Sequence, residues 1–259
     1  MTQLPAAALA ATPTDPTNVD AAELSAERLT VRFQGLAAIS DVSMTVRRHE
    51  VFGLIGPNGA GKTTLVNCLT GFQAPTEGRV LVGRQSTTGW EPTRFREMGI
   101  ARTFQAGRLF KEMSVLENAE VAAVGLGLNR RKAIAHSHAI LDWVGLADKM
   151  ALPAGALAYT DQRRLGIARA MVIPPAFVLL DEPAAGMSDA ECEGLMVLVS
   201  SIPKAFNCGV LLIEHNMRVV MGISHRIHVL DGGKTLAEGA PAEIQRDQAV
   251  LAAYLGMEA

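Results

Sequence analysis

Apolar residues recur along this chain in three patterns. Strict alternation over residues 29–33 and 43–46 suits half-buried strands, and the polar run 47–50 supplies a turn after them. Unbroken apolar runs at Val51–Ile55, 177–180 and 210–213 have the length of strands buried on both faces. The first is followed by a glycine-rich loop and then by residues 62–69, whose spacing is helical; the other two each lie close to a helical stretch. Such alternation of strand and helix predicts an α/β fold around a parallel sheet, with a β-rich edge ahead of it. From about residue 114 to 151 the pattern turns Ala- and Leu-rich and helical, broken at Gly125, Gly127 and Asn129. It reads as an inserted helical lobe. No internal repeat is visible.

Composition narrows the function. With 259 residues and 49% apolar content, the chain suits one large domain or one domain with an inserted lobe. Basic and acidic residues number 24 and 26, a formal net charge of −2, so no long-range field draws in nucleic acid or anionic lipid. Its apolar runs fall far short of the ~20 residues a membrane-spanning helix needs, so any membrane contact is expected to be made through protein. The first sixteen residues are rich in Ala, Thr and Pro, without the basic lead and compact apolar run of a secretory signal, and read as a disordered tail. Cys68, Cys192 and Cys208 lack metal-ligand spacing and are expected to be small buried hydrophobes.

Two segments carry chemistry. Gly56-Pro57-Asn58-Gly59-Ala60-Gly61-Lys62-Thr63 matches G-x-x-x-x-G-K-[ST] and lies between a strand and a helix, the context that motif requires. Glycines let successive N–H groups curl inward onto phosphate oxygens, and the positive end of the following helix adds to them. Lys62 is then placed for the β- and γ-phosphates, Thr63 for Mg²⁺, with Thr64 beside them. The second segment is the apolar strand 177–180 ending in Asp181-Glu182. Alone, such a strand commonly just meets a solvated turn. Paired with a phosphate loop, it delivers Asp181 toward the nucleotide metal and Glu182, as base, toward the attacking water.

On these residues the chain resembles nucleotide-binding subunits of ABC transporters, from about residue 29 to its C-terminus. Arg102-Thr103-Phe104-Gln105 with Arg108-Leu109-Phe110, Asp181-Glu182-Pro183-Ala184-Ala185-Gly186, Ile213-Glu214-His215-Asn216-Met217 and Ala253-Tyr254-Leu255-Gly256 are similar to subunits of branched-chain amino acid importers. The resemblance implies a P-loop NTPase fold: a RecA-like parallel sheet with an antiparallel β edge and an inserted helical lobe. It divides the chain into a tail, residues 1–24, and a nucleotide-binding domain, residues 25–259, with the lobe at about 106–168. It also implies that ATP and Mg²⁺ are bound, that Phe33 stacks on adenine, that Gln105 touches Mg²⁺ and the attacking water, and that His215 holds the γ-phosphate. Met187-Ser188-Asp189 falls where a partner subunit would be met. The other histidines, His136 and His138 among them, read as solvated or packing residues.

One motif departs from the family. Where Leu-Ser-Gly-Gly-Gln or Leu-Pro-Tyr-Gly-Gln is usual, this chain has Leu157-Ala158-Tyr159-Thr160-Asp161. In the family that segment opens a helix against the γ-phosphate held by the opposite subunit. Ala158 has no hydroxyl, Thr160 adds a β-branched side chain where glycine lets the backbone approach, and Asp161 brings a like charge. That repulsion is about 1 kcal/mol at ~4 Å in water and several-fold larger in a drier interface. The expectation is a weakened site, and hence a head-to-tail dimer with a different ATPase chain; the alternative is a shifted helix start with Thr160 as N-cap and function retained.

The resemblance further implies a peripheral position on the cytoplasmic face of the inner membrane, transmembrane permease subunits as partners, and indirectly an extracytoplasmic substrate-binding protein. Competing functions are the ATPase of a lipid or lipopolysaccharide exporter and a soluble, non-transport ABC ATPase.

Overall fold

The computed structural model describes residues 23–104 and 109–255. The chain opens with a β-hairpin, β1 (Glu23–Phe33) and β2 (Leu36–Arg47), turned at Gln34 and Gly35, both in the left-handed region that such tight hairpin turns require. Sequence alternation predicted only the C-terminal parts of these strands, residues 29–33 and 43–46. The pairing runs further, with Leu24 fully buried between Val46 and Val82, so β1 begins inside the segment expected to be a tail. Together with β4 (Glu77–Val82) and β5 (Gln85–Ser86), the hairpin forms a four-stranded antiparallel sheet in the order β2-β1-β4-β5. This is the expected antiparallel edge.

The second sheet contains β3 (Val51–Ile55), β6 (Ile100–Arg102), β7 (Phe177–Asp181), β8 (Gly209–Ile213), β9 (Arg226–Asp231) and β10 (Lys234–Gly239), in the order β10-β9-β3-β8-β7-β6. All pairs are parallel except β9 with β10. Its central strands are apolar at every position because both faces are covered. Phe177, Leu179, Leu211 and Ile213 point into a core shared with the antiparallel sheet and with α1 (Lys62–Leu69). Their neighbours Val178, Leu180, Val210 and Leu212 point into a second core under α6 (Asp189–Phe206) and the helical lobe.

A short helix, α2 (Pro92–Glu97), precedes β6, and the lobe enters between β6 and β7 as α3 (Val115–Gly125), α4 (Arg130–Trp143) and α5 (Tyr159–Met171). The breaks read from sequence are real: α3 stops at Gly125, and the Asn129 side chain caps α4 by accepting from Lys132 N at 3.0 Å. Helix α5 continues past residue 168 because Ala170, Met171 and Val172 are still buried against the core. The lobe is tied down at its start by Asn118, wholly buried, whose amide bonds Phe110 N and the carbonyls of Phe110, Met113 and Ser114. The chain closes with α7 (Met217–Ile223), α8 (Pro241–Ile244) and α9 (Gln248–Leu255) packed around β9 and β10. The three cysteines are free and buried, and His136 is a packing residue bonded to the Val172 carbonyl.

Candidate nucleotide-binding site

The site forms where β3, β7 and β8 end on the same edge of the parallel sheet. After β3 the chain curls through Gly56 to Gly61 and enters α1 at Lys62. Two glycines are forced. A Cβ on Gly56 (φ 152°) would stand 2.1 Å from the Leu230 carbonyl oxygen, and one on Gly61 (φ 98°) would stand 2.7 Å from that of Ala38. Gly61 is the N-cap of α1, whose first turn carries no acidic side chain to compete for its exposed amides. Pro57 and Ala60 are joined by a backbone bond, Ala60 N donating to Pro57 O, while Asn58, Gly59 and Thr63 face solvent and Thr64 is partly covered. Lys62 folds back over the loop, donating from Nζ to the carbonyls of Gly56 at 2.7 Å and Pro57 at 3.0 Å. Burial holds its ammonium pKa below the ordinary value of 10.5, and the carboxylates of Glu182 and Asp181 offset part of that depression. Those two acids are therefore near enough to Lys62 to act on its charge.

Asp181 ends β7. Its backbone N–H donates to Thr103 Oγ1 at 3.1 Å, and its carboxylate takes an ion pair from Arg102 at 2.7 Å. Glu182 follows with φ +46°, an unfavourable backbone conformation for a side chain with a Cβ, held by its own N–H donating to the Ile213 carbonyl at the end of β8. Its Oε1 is 3.8 Å from His215 Nδ1. His215 itself is largely exposed and stands at the mouth of the site. Phe33, half exposed at 49%, ends β1 beside the turn of the hairpin, whose Ala38 and Ile39 touch Gly61. It is not a core residue. Gln105 and Arg108 lie outside the described residues.

Sequence reasoning assigned no role to Glu214, yet it is wholly buried and organises the turn. Its carboxylate accepts from the backbone of Ala184 at 2.6 Å, His215 at 3.2 Å and Asn216 at 3.4 Å, so one side chain aligns the segments that follow Glu182 and β8. Desolvation raises its pKa, and these donors pull it back.

The altered segment opens α5. Ala158, not Thr160, is the N-cap residue, and no side chain caps the helix. The alternative of a shifted start at Thr160 is thereby corrected: the 157–158 backbone stays extended through the Ala158 N-cap. The expected charge problem is also smaller than supposed. Asp161 is buried and paired with Lys149 at 2.6 Å, so it does not present a bare carboxylate to a partner's phosphate. Tyr159 is exposed and stacked under the Arg163 guanidinium, its ring 3.4 Å from where a Cβ on Gly186 would stand. Ser188, in the segment expected to meet a partner, is the N-cap residue of α6, and its N–H and Oγ both donate to Glu191 Oε2, at 2.8 and 2.7 Å.

Among the described residues no group of three or more His, Cys, Asp or Glu side chains could hold a metal by itself. A hydroxyl and one carboxylate beside a phosphate loop suit Mg²⁺, which commonly binds through one or two carboxylates together with nucleotide phosphates.

Residues 39–185 match the family model for ABC transporters, and residues 234–257 match a model described as branched-chain amino acid ATP-binding cassette transporter. The chain is 45% identical over 248 residues to the high-affinity branched-chain amino acid transport ATP-binding protein LivG of Salmonella typhimurium, covering 90% of this chain and 97% of that one. It is 41% identical, with the same coverages, to BraF of Pseudomonas aeruginosa, which carries the same description. Among solved structures it superposes on an ATP-binding cassette of an ABC transporter in its ADP conformation with a TM-score of 0.83, at 29% identity, over 90% of this chain and 98% of the other. The chain thus belongs to the ABC transporter family, as an ATP-binding subunit that hydrolyses ATP.

Proposed function

We propose that this subunit powers the import of branched-chain amino acids or related amides, on the cytoplasmic face of an inner-membrane permease that receives its cargo from an extracytoplasmic binding protein. The observation that carries the cargo class is full-length similarity to LivG and BraF, extending into the C-terminal segment 234–257. Among the described residues no helix is long and apolar enough to cross a membrane, so force must pass through another protein. A groove of about 330 Å³ between β6 and the lobe offers a seat for it, lined by Phe104, Val121, Ala122 and Leu126 with Arg102 and Arg169.

In this reading the loop amides of Gly56 to Gly61, with Lys62, Thr63 and Thr64, hold the phosphates, and Phe33 covers the adenine. Thr63 and Asp181, with Gln105, would hold Mg²⁺, which would supply charge neutralisation for the phosphates. Glu182 accepts a proton from water as its oxygen bonds the γ-phosphorus and the bond to the ADP oxygen breaks; His215 donates to the γ-phosphate. Closure of two cassettes head to tail would place residues 157–161 of each over the other's nucleotide, and differential affinity of ATP for the closed pair would drive the permease.

A different chain is favoured as the second cassette, because Ala158 lacks a hydroxyl and Thr160 crowds the helix start; Asp161, neutralised by Lys149, no longer adds to that argument. The test is to tag this chain, purify it from membranes, and reconstitute what accompanies it. We expect a permease and a second cassette, ATP-dependent uptake of leucine into proteoliposomes, and slow phosphate release by this chain alone. Outward lipid movement, or no permease at all, would overturn the importer reading. Brisk hydrolysis by the isolated chain would overturn the mixed pair.

A further inference from the structure

Arg102 also lines the groove beside the lobe; it takes no part in the phosphate chemistry above, yet it is among the most constrained side chains at the site. Its side chain is 8% exposed and makes two bonds: NH2 to Asp181 Oδ2 at 2.7 Å and NH1 to Asn67 Oδ1 at 2.6 Å. The rings of Phe72 and Phe104 cover it, with centroids 5.9 and 5.2 Å from its Cζ and set edge to face with each other. Its Nε is buried without an acceptor among the described residues. A desolvated cation whose Nε–H finds no acceptor is a costly way to fill space, since an apolar side chain would pack there more cheaply.

What the cost supplies is geometry. Asn67 lies four residues after Thr63 on α1, one turn along the same face. Arg102 therefore grips, in one planar fork, the strand that ends in Asp181 and the helix that begins with Lys62 and Thr63. Thr103 completes the hold by accepting from the Asp181 N–H. One carboxylate oxygen of Asp181 is taken by the fork, leaving the other for a different partner. We propose that Arg102 is a positioning residue for the metal: it fixes Asp181 and Thr63 relative to each other so that both meet the Mg²⁺ that arrives with the nucleotide. The inference rests on the reading of Thr63 and Asp181 as the metal-holding pair.

Two effects oppose each other, and their balance is measurable. Arg102 sits as a positive charge beside a carboxylate that must attract a cation, so its removal should tighten Mg²⁺ if simple charge dominates. If positioning dominates, removal should loosen Mg²⁺, as loss of groups that orient metal ligands commonly does. The experiment measures binding of a fluorescent ADP analogue to the full chain in EDTA and then across a Mg²⁺ titration, in the unmodified protein, Arg102→Met and Arg102→Lys. For Arg102→Met we expect the half-saturating Mg²⁺ to rise by about tenfold or more, with affinity in EDTA changed by less than about twofold. Arg102→Lys, which keeps the charge but reaches one acceptor, should fall between.

Unchanged or tighter Mg²⁺ dependence in Arg102→Met overturns the inference. Absence of any Mg²⁺ dependence in the unmodified chain overturns instead the assignment of Thr63 and Asp181. Should Arg102→Met fail to fold in a thermal melt, Asn67→Ala removes only the helix side of the fork. It should raise the Mg²⁺ requirement while leaving the Arg102–Asp181 pair in place, and an unchanged requirement there also overturns the inference.

Discussion

Glu182 combines an unfavourable backbone with a short reach to His215, and both follow from its place between the ends of β7 and β8. Replacing its carboxylate with the isosteric amide keeps the backbone bond to Ile213 but removes the proton acceptor. Glu182→Gln should lower phosphate release by roughly 10²–10⁴-fold while nucleotide affinity holds, the usual range for loss of a general base; equilibrium binding measured beside turnover separates the two. Lys62 makes a different prediction. Without nucleotide its pKa lies below 10.5, chiefly through burial. Phosphates bind the charged form, so they raise that pKa, and binding takes up a proton in the window between the two values. Affinity should accordingly fall as pH rises through the depressed pKa, below pH 10.5. Lys62→Arg, with a guanidinium that stays protonated, should bind with a flatter pH profile even if more weakly. An equally steep decline in the Arg variant would place the titration elsewhere.

At the scale of elements, what could be read in the sequence was what local pattern dictates. The runs Val51–Ile55 and Lys62–Leu69 were legible because burial on both faces and a helical spacing are written in adjacent residues. β9 was not, because its charged and polar members are satisfied only across the fold: Arg226 reaches Glu50 and Glu238, and the wholly buried His228 is bonded to Glu238 and Thr235. Arg102 was visible as a letter in a family motif, but its partners lie 35 and 79 residues away. Asp161 shows the same limit in reverse. In sequence it is an acid beside a phosphate, and only the fold supplies Lys149. Asn118 belongs here too, as a staple of the lobe. Asn118→Leu fits the volume but leaves Phe110 N without its acceptor, while the carbonyls of Phe110, Met113 and Ser114 keep only their backbone donors. Each unsatisfied buried group costs about 1–3 kcal/mol, so the lobe's entry should loosen. Faster amide exchange over residues 109–125, with β3 and β8 protected as before, is the expected result; uniform loss across the chain would mean that the lobe and sheet unfold as one.

Over the whole molecule, the nucleotide edge and the groove are joined by one short strand. β6 pairs with β7, which ends in Asp181, and the residues that leave β6, Thr103 and Phe104, line the groove. The far wall of that groove is α3, whose Val121 lines it and is 40% exposed, with Val124, 52% exposed, nearby on the same helix; such apolar surface suits contact with another protein. A charge on that wall should act on docking before it acts on the phosphate loop, because the elements α3 packs on most are its lobe neighbours α4 and α5. Val121→Glu is therefore expected to weaken co-purification of the permease by at least about tenfold, the cost of desolvating a charge in an apolar contact, and to change nucleotide affinity far less. If nucleotide affinity falls as much as permease binding does, the groove is part of the nucleotide site's own support, and the surface that carries force to the membrane must be sought on another face.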